Sequence, residues 1–411
     1  MKRFLEVKDR EEVETLIWPF AERMRAIKEV SLGEALGRVL AADVRANRDV
    51  PPFDRAAMDG YAVRASDTFY ADEERPVTLK VVGAVHAGEL PKLEVRSGEC
   101  VEIATGAPMP SGADAVVMVE FTELENDEVK IYKAVAPGEN VMAAGSDIKR
   151  GELVLKRGTL LRPRDLGVLA ACGISKIQVF KKPRVAVIST GNELLEPGEP
   201  LKPGKIYDVN SQTLSAAVSE SGGVPLFLGI LGDEPNALLK TLRHAVGSHD
   251  AVIISGGTSA GASDILYEVL DELGEILVYG VNIKPGKPFI FAVVENKPVF
   301  GLPGHPTSAI ITFSLFVAPL LRRASGLPPR KPARVIARLS ARIFSEKGRH
   351  EYVLVKLVEE NGDLVATPIL KGSGAITTLA NADGYVLVDA QTEIVEGGEA
   401  VEVSLLTEKF I

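Results

Sequence analysis

Between residues 183 and 326 the chain alternates short apolar runs with amphipathic stretches, and this alternation is the strongest constraint on its fold. The runs RVAVIST, VPLFLGIL and DAVIISGG have the near-continuous apolar character of buried strands. The stretches between them, such as DEPNALLKTLRHAVG, have helical spacing. Strands that alternate with helices in this way form a parallel sheet with helices on both faces. We therefore predict a doubly wound α/β domain over residues 181–327.

Different patterns lie on either side of this domain. Residues 77–142 hold short strand-like runs separated by Gly and Pro, which predict a β-rich domain. Helical spacing over residues 9–28, a second short helix over Ser31–Leu40 and the run PRDLGVLAACGI predict helices before and after it. After the proline-rich stretch GLPPRKPAR, residues 333–411 have the pattern of an all-β domain.

Composition excludes several functional classes. The net charge of −9 argues against general binding to nucleic acid. The two cysteines, Cys100 and Cys172, lie in apolar surroundings and are expected to be buried thiols. We find no signal peptide and no run of about 18 apolar residues that could span a membrane. The expected location is the cytoplasm.

Polar residues follow five consecutive predicted strands of the α/β domain, at the edge where such sheets bind ligands. They are Gly191-Asn192-Glu193, Asp233, the loop from Ser255 to Asp264, Lys284-Pro285-Gly286-Lys287 and Pro303-Gly304-His305-Pro306. Each has an ordinary explanation as a tight turn, a helix cap or a solvated loop. Together they favour a ligand site, because polar residues after five consecutive strands are hard to explain by turns and caps alone.

The chemistry of these residues indicates a substrate that carries phosphate, together with a divalent metal. Amides of a glycine turn at a helix N-terminus bind oxyanions, so Gly256, Gly257, Thr258 and Ser259 are candidates for binding phosphate. Nearby carboxylates would repel phosphate unless a hard cation such as Mg²⁺ lies between them. Lysines would supply a positive pocket for a second anion. The loop lacks the P-loop and dinucleotide-fold patterns.

A set of motifs gives the chain a family resemblance. In order, they are PPFDRAAMDGYAVR, IATGAPMPSGADAVV, ISTGNELLEPG, DVNSQTL, LGDEPNAL, SGGTSAGASD, NIKPGKPF and GLPGHPTSA. Together they resemble the molybdopterin molybdenumtransferases, the MoeA/gephyrin family, over essentially the whole chain. The resemblance implies molybdenum cofactor biosynthesis. In the reaction that the resemblance implies, molybdate, or the similar tungstate, would be inserted into adenylylated molybdopterin. AMP would be released, and Mg²⁺ would be required.

The resemblance also implies an architecture. A helical linker domain would comprise residues 1–47 and 143–180, interrupted by the inserted β-rich domain over 48–142. A MogA-like α/β domain over 181–327 and a C-terminal β-barrel over 328–411 would follow. The protein would be a homodimer with its active site between subunits, and it would contact the pterin adenylyltransferase transiently.

The motifs place the family's functional residues in this sequence. Asp59 and Thr105 would be the catalytic contribution of the inserted domain, and Glu193 and Asp264 that of the α/β domain. Asp233 and Asp264 would hold Mg²⁺. The molybdate pocket would consist of Lys284, Lys287, Arg349 and Ser373, beside the turn shaped by Pro303 and Pro306. The chain departs from many relatives at Ala56, Ala262 and Met142, where polar or charged residues are common.

Two alternative functions stay open on the sequence. A scaffold of the gephyrin type would use the same domains for clustering, although the long linkers and additional N-terminal domain of those proteins have no counterpart here. An enzyme that adenylylates the pterin would share the α/β domain, but would not need the inserted domain or the barrel.

Overall fold

The computed structural model describes residues 7–257, 263–370 and 372–406. The chain divides into two compact units. Residues 29–179 form the inserted unit, and the described residues of 1–28 and 180–411 form the main unit. Among the predicted site residues, Thr258 and Ser259 lie outside the described residues, and so do the side chain of Asp264 and all of Ala262.

The main unit contains a six-stranded sheet. In spatial order its strands are Val224–Leu231, Arg184–Thr190, Ala251–Ser255, Lys297–Leu302, Ile290–Val294 and Glu275–Tyr279. The prediction of a parallel sheet is confirmed for the first four strands. It needs correction at Ile290–Val294, which is antiparallel to both neighbours. The reason is the two-residue turn Glu295–Asn296, whose φ angles of +49° and +60° favour a hairpin.

Helices cover both faces of this sheet, as predicted. The helices of the main unit are Arg10–Ile17, Pro19–Met24, Asn210–Glu220, Pro235–Ser248, Ser263–Leu273, Pro306–Thr312, Ala318–Ala324 and Ile376–Asn381. Val185 and Val187 face a core shared with the helices that begin at Asn210 and Pro306. The alternate residues Ala186 and Ile188 face a second core, beneath the helices that begin at Pro235 and Ser263.

The helical segment from Pro306 to Ala324 is long and apolar enough, by length and composition only, to cross a membrane, with a mean hydropathy of 1.2. A π-helical turn, Phe313–Val317, joins its two α-helical parts. Phe313, Phe316 and Leu320 are buried in the core against the sheet. The apolar composition is therefore accounted for by packing inside the main unit.

Residues 334–405 form the predicted β-barrel. Its strands, in order around the barrel, are His350–Glu360, Asp363–Pro368, Arg334–Leu339, Ala400–Leu405 and Gly384–Val388. Gly384–Val388 also pairs with His350–Glu360, so the sheet closes on itself. Short strands pair outside the barrel at Ile343–Phe344 and Ile394–Val395. A further two-residue strand, Ile283–Lys284, comes from the α/β region and pairs with the start of His350–Glu360.

Within the inserted unit, residues 48–142 are β-rich, as predicted. Its six-stranded sheet has the order Ala115–Met118, Gly60–Val63, Glu99–Ile103, Val77–Val85, Glu128–Ile131 and Thr122–Glu125. Tyr61 and Cys100 face one core of this unit, and Ala62 and Val101 face the other. Both faces of the sheet are therefore covered within the inserted unit.

The helix predicted over Ser31–Leu40 is wrong. Ile27–Ser31 is a strand, and only a single 3₁₀ turn, Leu32–Glu34, follows it. Gly37 then adopts a positive φ of +71°, which ends helical geometry. Among the described residues of 29–47 and 143–179, the one α-helix is Pro163–Ala171. Short strands in these ranges include Val44–Arg45, which pairs with Leu153–Leu155, and the strand that begins at Lys176. Val141–Met142, just before the second range, pairs with Arg55–Ala56.

Both cysteines are buried and free, which confirms the expectation from their surroundings. Cys100 and Cys172 are each 0% exposed. Burial raises the pKa of the Cys100 thiol to about 12, so this thiol stays protonated at neutral pH.

Candidate active site

Three parallel strands of the main unit end side by side at one edge of the sheet. Their last residues are Thr190, Ser255 and Leu302. The register pairs Ser189 with Ser255, and Ser255 with Leu302. Ligands of open α/β sheets bind outside the carboxyl ends of the strands, so the loops that follow these residues are the first candidates for a site.

Gly256 fits this edge only because it has no side chain. Its φ is +98°, and an added Cβ would lie 2.3 Å from the carbonyl oxygen of Thr190. Its N–H donates to the carbonyl oxygen of Leu302 at 3.2 Å. The expectation that Gly256 offers its amide to a phosphate therefore needs correction, since that amide is already bonded. Gly257 also has a positive φ, of +66°, and its role in binding phosphate stays a prediction.

Two of the predicted carboxylates lie close to Asn192. The Asn192 side chain donates from Nδ2 to Asp233 Oδ2 at 2.9 Å, and its Oδ1 accepts from the Asp233 N–H at 3.3 Å. The carboxylate of Glu193 folds back over Gly191, where an added Cβ would lie 2.6 Å from Glu193 Oε1. Lys205 donates to the carbonyl oxygen of Asn192. The structure thus places Asn192, the residue before Glu193, against Asp233, and adds a cation, Lys205, that the sequence analysis missed.

Asn210 is a second residue that the sequence analysis missed. Its Nδ2 donates to Ser255 Oγ at 2.8 Å and to the carbonyl oxygen of Gly304 at 2.7 Å. One buried side chain therefore joins the end of a strand to the turn before Pro306. The signal in the sequence was the motif DVNSQTL, which was used for the resemblance without a role for any of its residues.

Buried polar atoms without a hydrogen-bond partner in the described part of the chain gather in this region. They are Thr190 Oγ1, Asp208 Oδ2, Asn210 Oδ1, Ser211 Oγ and Thr307 Oγ1. The five residues are each between 1% and 8% exposed. Buried polar atoms favour a hydrogen-bonding partner, so this edge is chemically suited to a polar ligand.

The loop from Lys284 to Lys287, called the lysine loop below, lies between the barrel and the helix that starts at Pro306. Ile283–Lys284 pairs in parallel with His350–Glu351 of the barrel. Lys284 Nζ is 3.2 Å from Glu351 Oε1 and 4.0 Å from Glu346 Oε1. Arg349 NH1 is 3.7 Å from Glu346 Oε2. The structure therefore brings together Lys284 and Arg349, which are far apart in sequence.

The other residues predicted for the oxyanion pocket flank the same helix. Ser373 Oγ is 3.0 Å from His305 Nδ1, and the carbonyl oxygen of Ser373 accepts from the Thr307 N–H. Pro306 is the first residue of the helix, where its missing N–H costs nothing. Pro303, in the same turn, is buried.

The loop between Lys284 and Lys287 packs near the other end of this helix. An added Cβ at Gly286 would lie 2.6 Å from Thr312 Cγ2. The carbonyl oxygen of Lys287 accepts from the N–H groups of Val281 and Phe289. Thr307 and Thr312 are separated by about 8 Å along the helix axis. Ser373 and the lysine loop therefore contact the same short helix at its two ends.

In the inserted unit, Asp59 and Thr105 are in direct contact. Asp59 precedes the strand Gly60–Val63, Thr105 follows Glu99–Ile103, and Gly60 pairs with Ile103. The Thr105 N–H and Oγ1 donate to Asp59 Oδ1 at 2.7 and 2.8 Å. These bonds, the backbone one first, lower the pKa of Asp59. Asp59 also lines a cavity of about 160 Å³ with Tyr61, Val85, His86, Glu102 and others.

Replacing Thr105 with valine should raise the pKa of Asp59 without restoring its usual value, because the backbone N–H would still donate. A carboxyl whose pKa is lowered in the folded state adds stability above its unfolded pKa. That stability is lost as the pH falls through the folded pKa. The variant should therefore lose this contribution at a higher pH than the wild type. The measurement is an NMR titration of the Asp59 carboxyl carbon. An unchanged pKa would contradict the assignment, and Thr122→Val, in the same unit, serves as the control.

No cluster of three or more His, Cys, Asp or Glu side chains suited to a metal occurs within residues 7–257, 263–370 and 372–406, the Ser263 and Asp264 side chains aside. The described metal candidate is Asp233, with the Asn192 amide bonded to it. The Asp233 carboxylate matches the preference of Mg²⁺ for oxygen ligands. Mg²⁺ often uses one or two carboxylates and completes its shell with water and substrate oxygens.

Three family models match this chain in order. The MoeA N-terminal region (domain I and II) matches residues 6–173, and a probable molybdopterin binding domain matches residues 186–323. The MoeA C-terminal region (domain IV) matches residues 336–406.

Whole-length relatives agree with these models. A Molybdopterin molybdenumtransferase 2 of Mycobacterium tuberculosis is 38% identical, covering 92% of this chain and 94% of the relative. A molybdopterin molybdenumtransferase of Nostoc is 36% identical, covering 91% and 87%. The crystal structure of a molybdopterin biosynthesis moeA protein from Pyrococcus horikoshii is 46% identical, with a TM-score of 0.83, covering 98% and 100%.

Proposed function

Because this chain belongs to the MoeA family of molybdopterin molybdenumtransferases, we propose that it inserts molybdate or tungstate into adenylylated molybdopterin and releases AMP in a magnesium-dependent reaction. It is an enzyme of molybdenum cofactor biosynthesis. The observation that best supports the proposed reaction is the arrangement of the main unit, where carboxylates and cations from separate strands occupy loops at one edge of the sheet.

Lys284 and Arg349 are proposed to bind the oxyanion. Both are cations, and their side chains meet around Glu346, although 64 residues separate them in sequence. A tetrahedral dianion is stabilised by cationic donors that reach it from two directions. Lys287 and Ser373, which the family resemblance assigns to the molybdate pocket, are proposed to complete it.

Asp233 is proposed to hold Mg²⁺ together with Asp264. Asn192 orients the Asp233 carboxylate, which is the arrangement that keeps a metal ligand in position. When bound, Mg²⁺ supplies Lewis-acid stabilisation of charge on phosphate oxygens. Glu193, in the loop after the strand Arg184–Thr190, is proposed as a catalytic carboxylate of the same site. Gly257 offers an amide to the phosphate from the adjoining loop.

The chain's own groups are proposed to act mainly by positioning. The phosphoanhydride of the adenylylated pterin is cleaved when an oxygen of molybdate or of water attacks phosphorus, and AMP leaves. We propose no covalent nucleophile among the described side chains at the carboxyl ends of the strands. Orientation of the substrates and stabilisation of charge would then account for the rate acceleration. Asp59 and Thr105 are proposed to be supplied by the second chain of a homodimer.

One assay tests this proposal. The purified protein is given adenylylated molybdopterin and Mg²⁺, with molybdate, with tungstate or with neither, and AMP is followed over time. We expect AMP release that depends on Mg²⁺ and on either oxyanion. AMP release at the same rate without any oxyanion would refute the proposed coupling. ATP consumption in the absence of molybdate would instead indicate an adenylyltransferase.

A further inference from the structure

Two of the three cations proposed for the oxyanion pocket, Lys284 and Arg349, have carboxylate partners. Glu351 Oε1 lies 3.2 Å from Lys284 Nζ. Glu346 reaches both cations, with Oε1 at 4.0 Å from Lys284 Nζ and Oε2 at 3.7 Å from Arg349 NH1. The cluster of Lys284, Arg349, Glu346 and Glu351 therefore contains two positive and two negative groups.

The charge balance of this cluster matters for a dianion. With both carboxylates in place the four groups sum to zero, and a dianion placed among them would meet as much repulsion as attraction. If one carboxylate moves away, the remaining three groups carry a charge of +1. Binding of an oxyanion at Lys284 and Arg349 is therefore favoured when one of the two glutamates leaves.

Glu346 is the carboxylate that can leave. Its side chain is 62% exposed, and its oxygens lie at the long end of ion-pair distances. The Glu351 side chain is 14% exposed and is closer to its partner. Exposed ion pairs contribute little because water screens the charges and solvates the freed groups. Moving Glu346 into solvent costs little, whereas moving Glu351 would disturb a buried group on a barrel strand.

We propose that Glu346 is an affinity-determining residue of the oxyanion pocket, because its carboxylate lies between Lys284 and Arg349 and is displaced when the oxyanion binds. This inference rests on the proposed function, since it takes these two cations as the oxyanion ligands. Glu346 thus competes with the oxyanion from within the same chain and weakens its binding.

The test is Glu346→Gln in the full-length protein, with molybdate binding measured by titration calorimetry at fixed ionic strength. Glutamine keeps the size of the side chain and removes the competing charge. We expect molybdate to bind about two- to fivefold more tightly, the range that corresponds to a weak exposed ion pair. An unchanged affinity would overturn the proposal. The matched control is Glu393→Gln. Its carboxylate pairs with Lys347 at 3.1 Å and is 59% exposed, and we expect this substitution to leave the affinity unchanged.

A second probe separates displacement from simple repulsion. Perrhenate is a tetrahedral oxyanion of similar size that carries one negative charge rather than two. If Glu346 leaves, the cost of moving it is the same for both anions, and both should gain the same factor in the variant. If Glu346 stays in place and only repels, the gain for molybdate should be about the square of the gain for perrhenate. The second outcome would refute displacement.

Lys284→Ala shows whether a negative result concerns this inference or the proposed pocket. If Lys284→Ala weakens molybdate binding and Glu346→Gln changes nothing, the pocket stands and the role of Glu346 is refuted. If Lys284→Ala leaves molybdate binding unchanged, the proposed pocket is wrong, and the role of Glu346 falls with it.

Discussion

Replacing Asp233 with asparagine should lower the rate of magnesium-dependent AMP release by about 100-fold or more, which corresponds to about 2.7 kcal/mol of transition-state stabilisation. Asparagine keeps the shape of the side chain but removes the charge that would hold the metal. The hydrogen bond to Asn192 can persist, because an amide oxygen still accepts from Asn192 Nδ2. The loss would therefore reflect weaker metal binding rather than a disordered loop.

The measurement is AMP release at several Mg²⁺ concentrations. We expect part of the lost rate to return at high Mg²⁺, because the defect lies in metal affinity. The neighbouring substitution Glu234→Gln removes the same charge from an exposed residue and should change the rate little. Wild-type dependence on Mg²⁺ in the Asp233→Asn variant would show that Asp233 is not a metal ligand.

Replacing Gly256 with alanine should destabilise the main unit by about 2–5 kcal/mol. The new Cβ would lie 2.3 Å from the carbonyl oxygen of Thr190, so backbone would have to move. The φ of +98° adds strain for any residue with a side chain. Because Gly256 N–H also bonds to Leu302, the disturbance would spread to the neighbouring strand end.

Urea unfolding followed by fluorescence measures this effect. Trp18 is the one tryptophan in the sequence and belongs to the main unit, so its emission reports on that unit. Gly304→Ala is the matched control. An added Cβ there would be 3.6 Å from its nearest neighbour, the Cα of Gly256, which is an ordinary contact. Equal stability of the two variants would contradict the close approach of Gly256 to Thr190.

Local patterns predicted the parts of the fold that depend on neighbours in sequence. The alternation of apolar runs and helices predicted a sheet with helices on both faces, because the apolar pattern of each strand and helix is visible in its own short stretch of sequence. The antiparallel strand was missed because Glu295–Asn296 is not the Asn-Gly or Asp-Gly pair that marks such turns most clearly. The helix expected over Ser31–Leu40 failed because short periodic stretches do not separate helix from irregular structure.

The site was predicted as a set of residues but not as a set of contacts. Asp233 follows a strand, and its place at the edge could be inferred from the sheet alone. Its bond to Asn192, the reach of Asn210 to Gly304 and the contact of Ser373 with His305 join segments far apart in sequence. No periodic pattern records such contacts. Lys284 and Arg349 were grouped by family resemblance, whereas the position of Glu346 between them could be seen only in three dimensions.

The pairing of Ile283–Lys284 with His350–Glu351 limits how this protein could be taken apart or recombined. A truncated chain ending at Leu327 would retain every strand of the six-stranded sheet, yet the backbone at Lys284 would lose the strand that braces it. The barrel therefore cannot be removed or exchanged without affecting the backbone at Lys284. In a chimera with a barrel from another protein, the new barrel would have to form the same two-residue strand pairing to hold Lys284 in the same orientation.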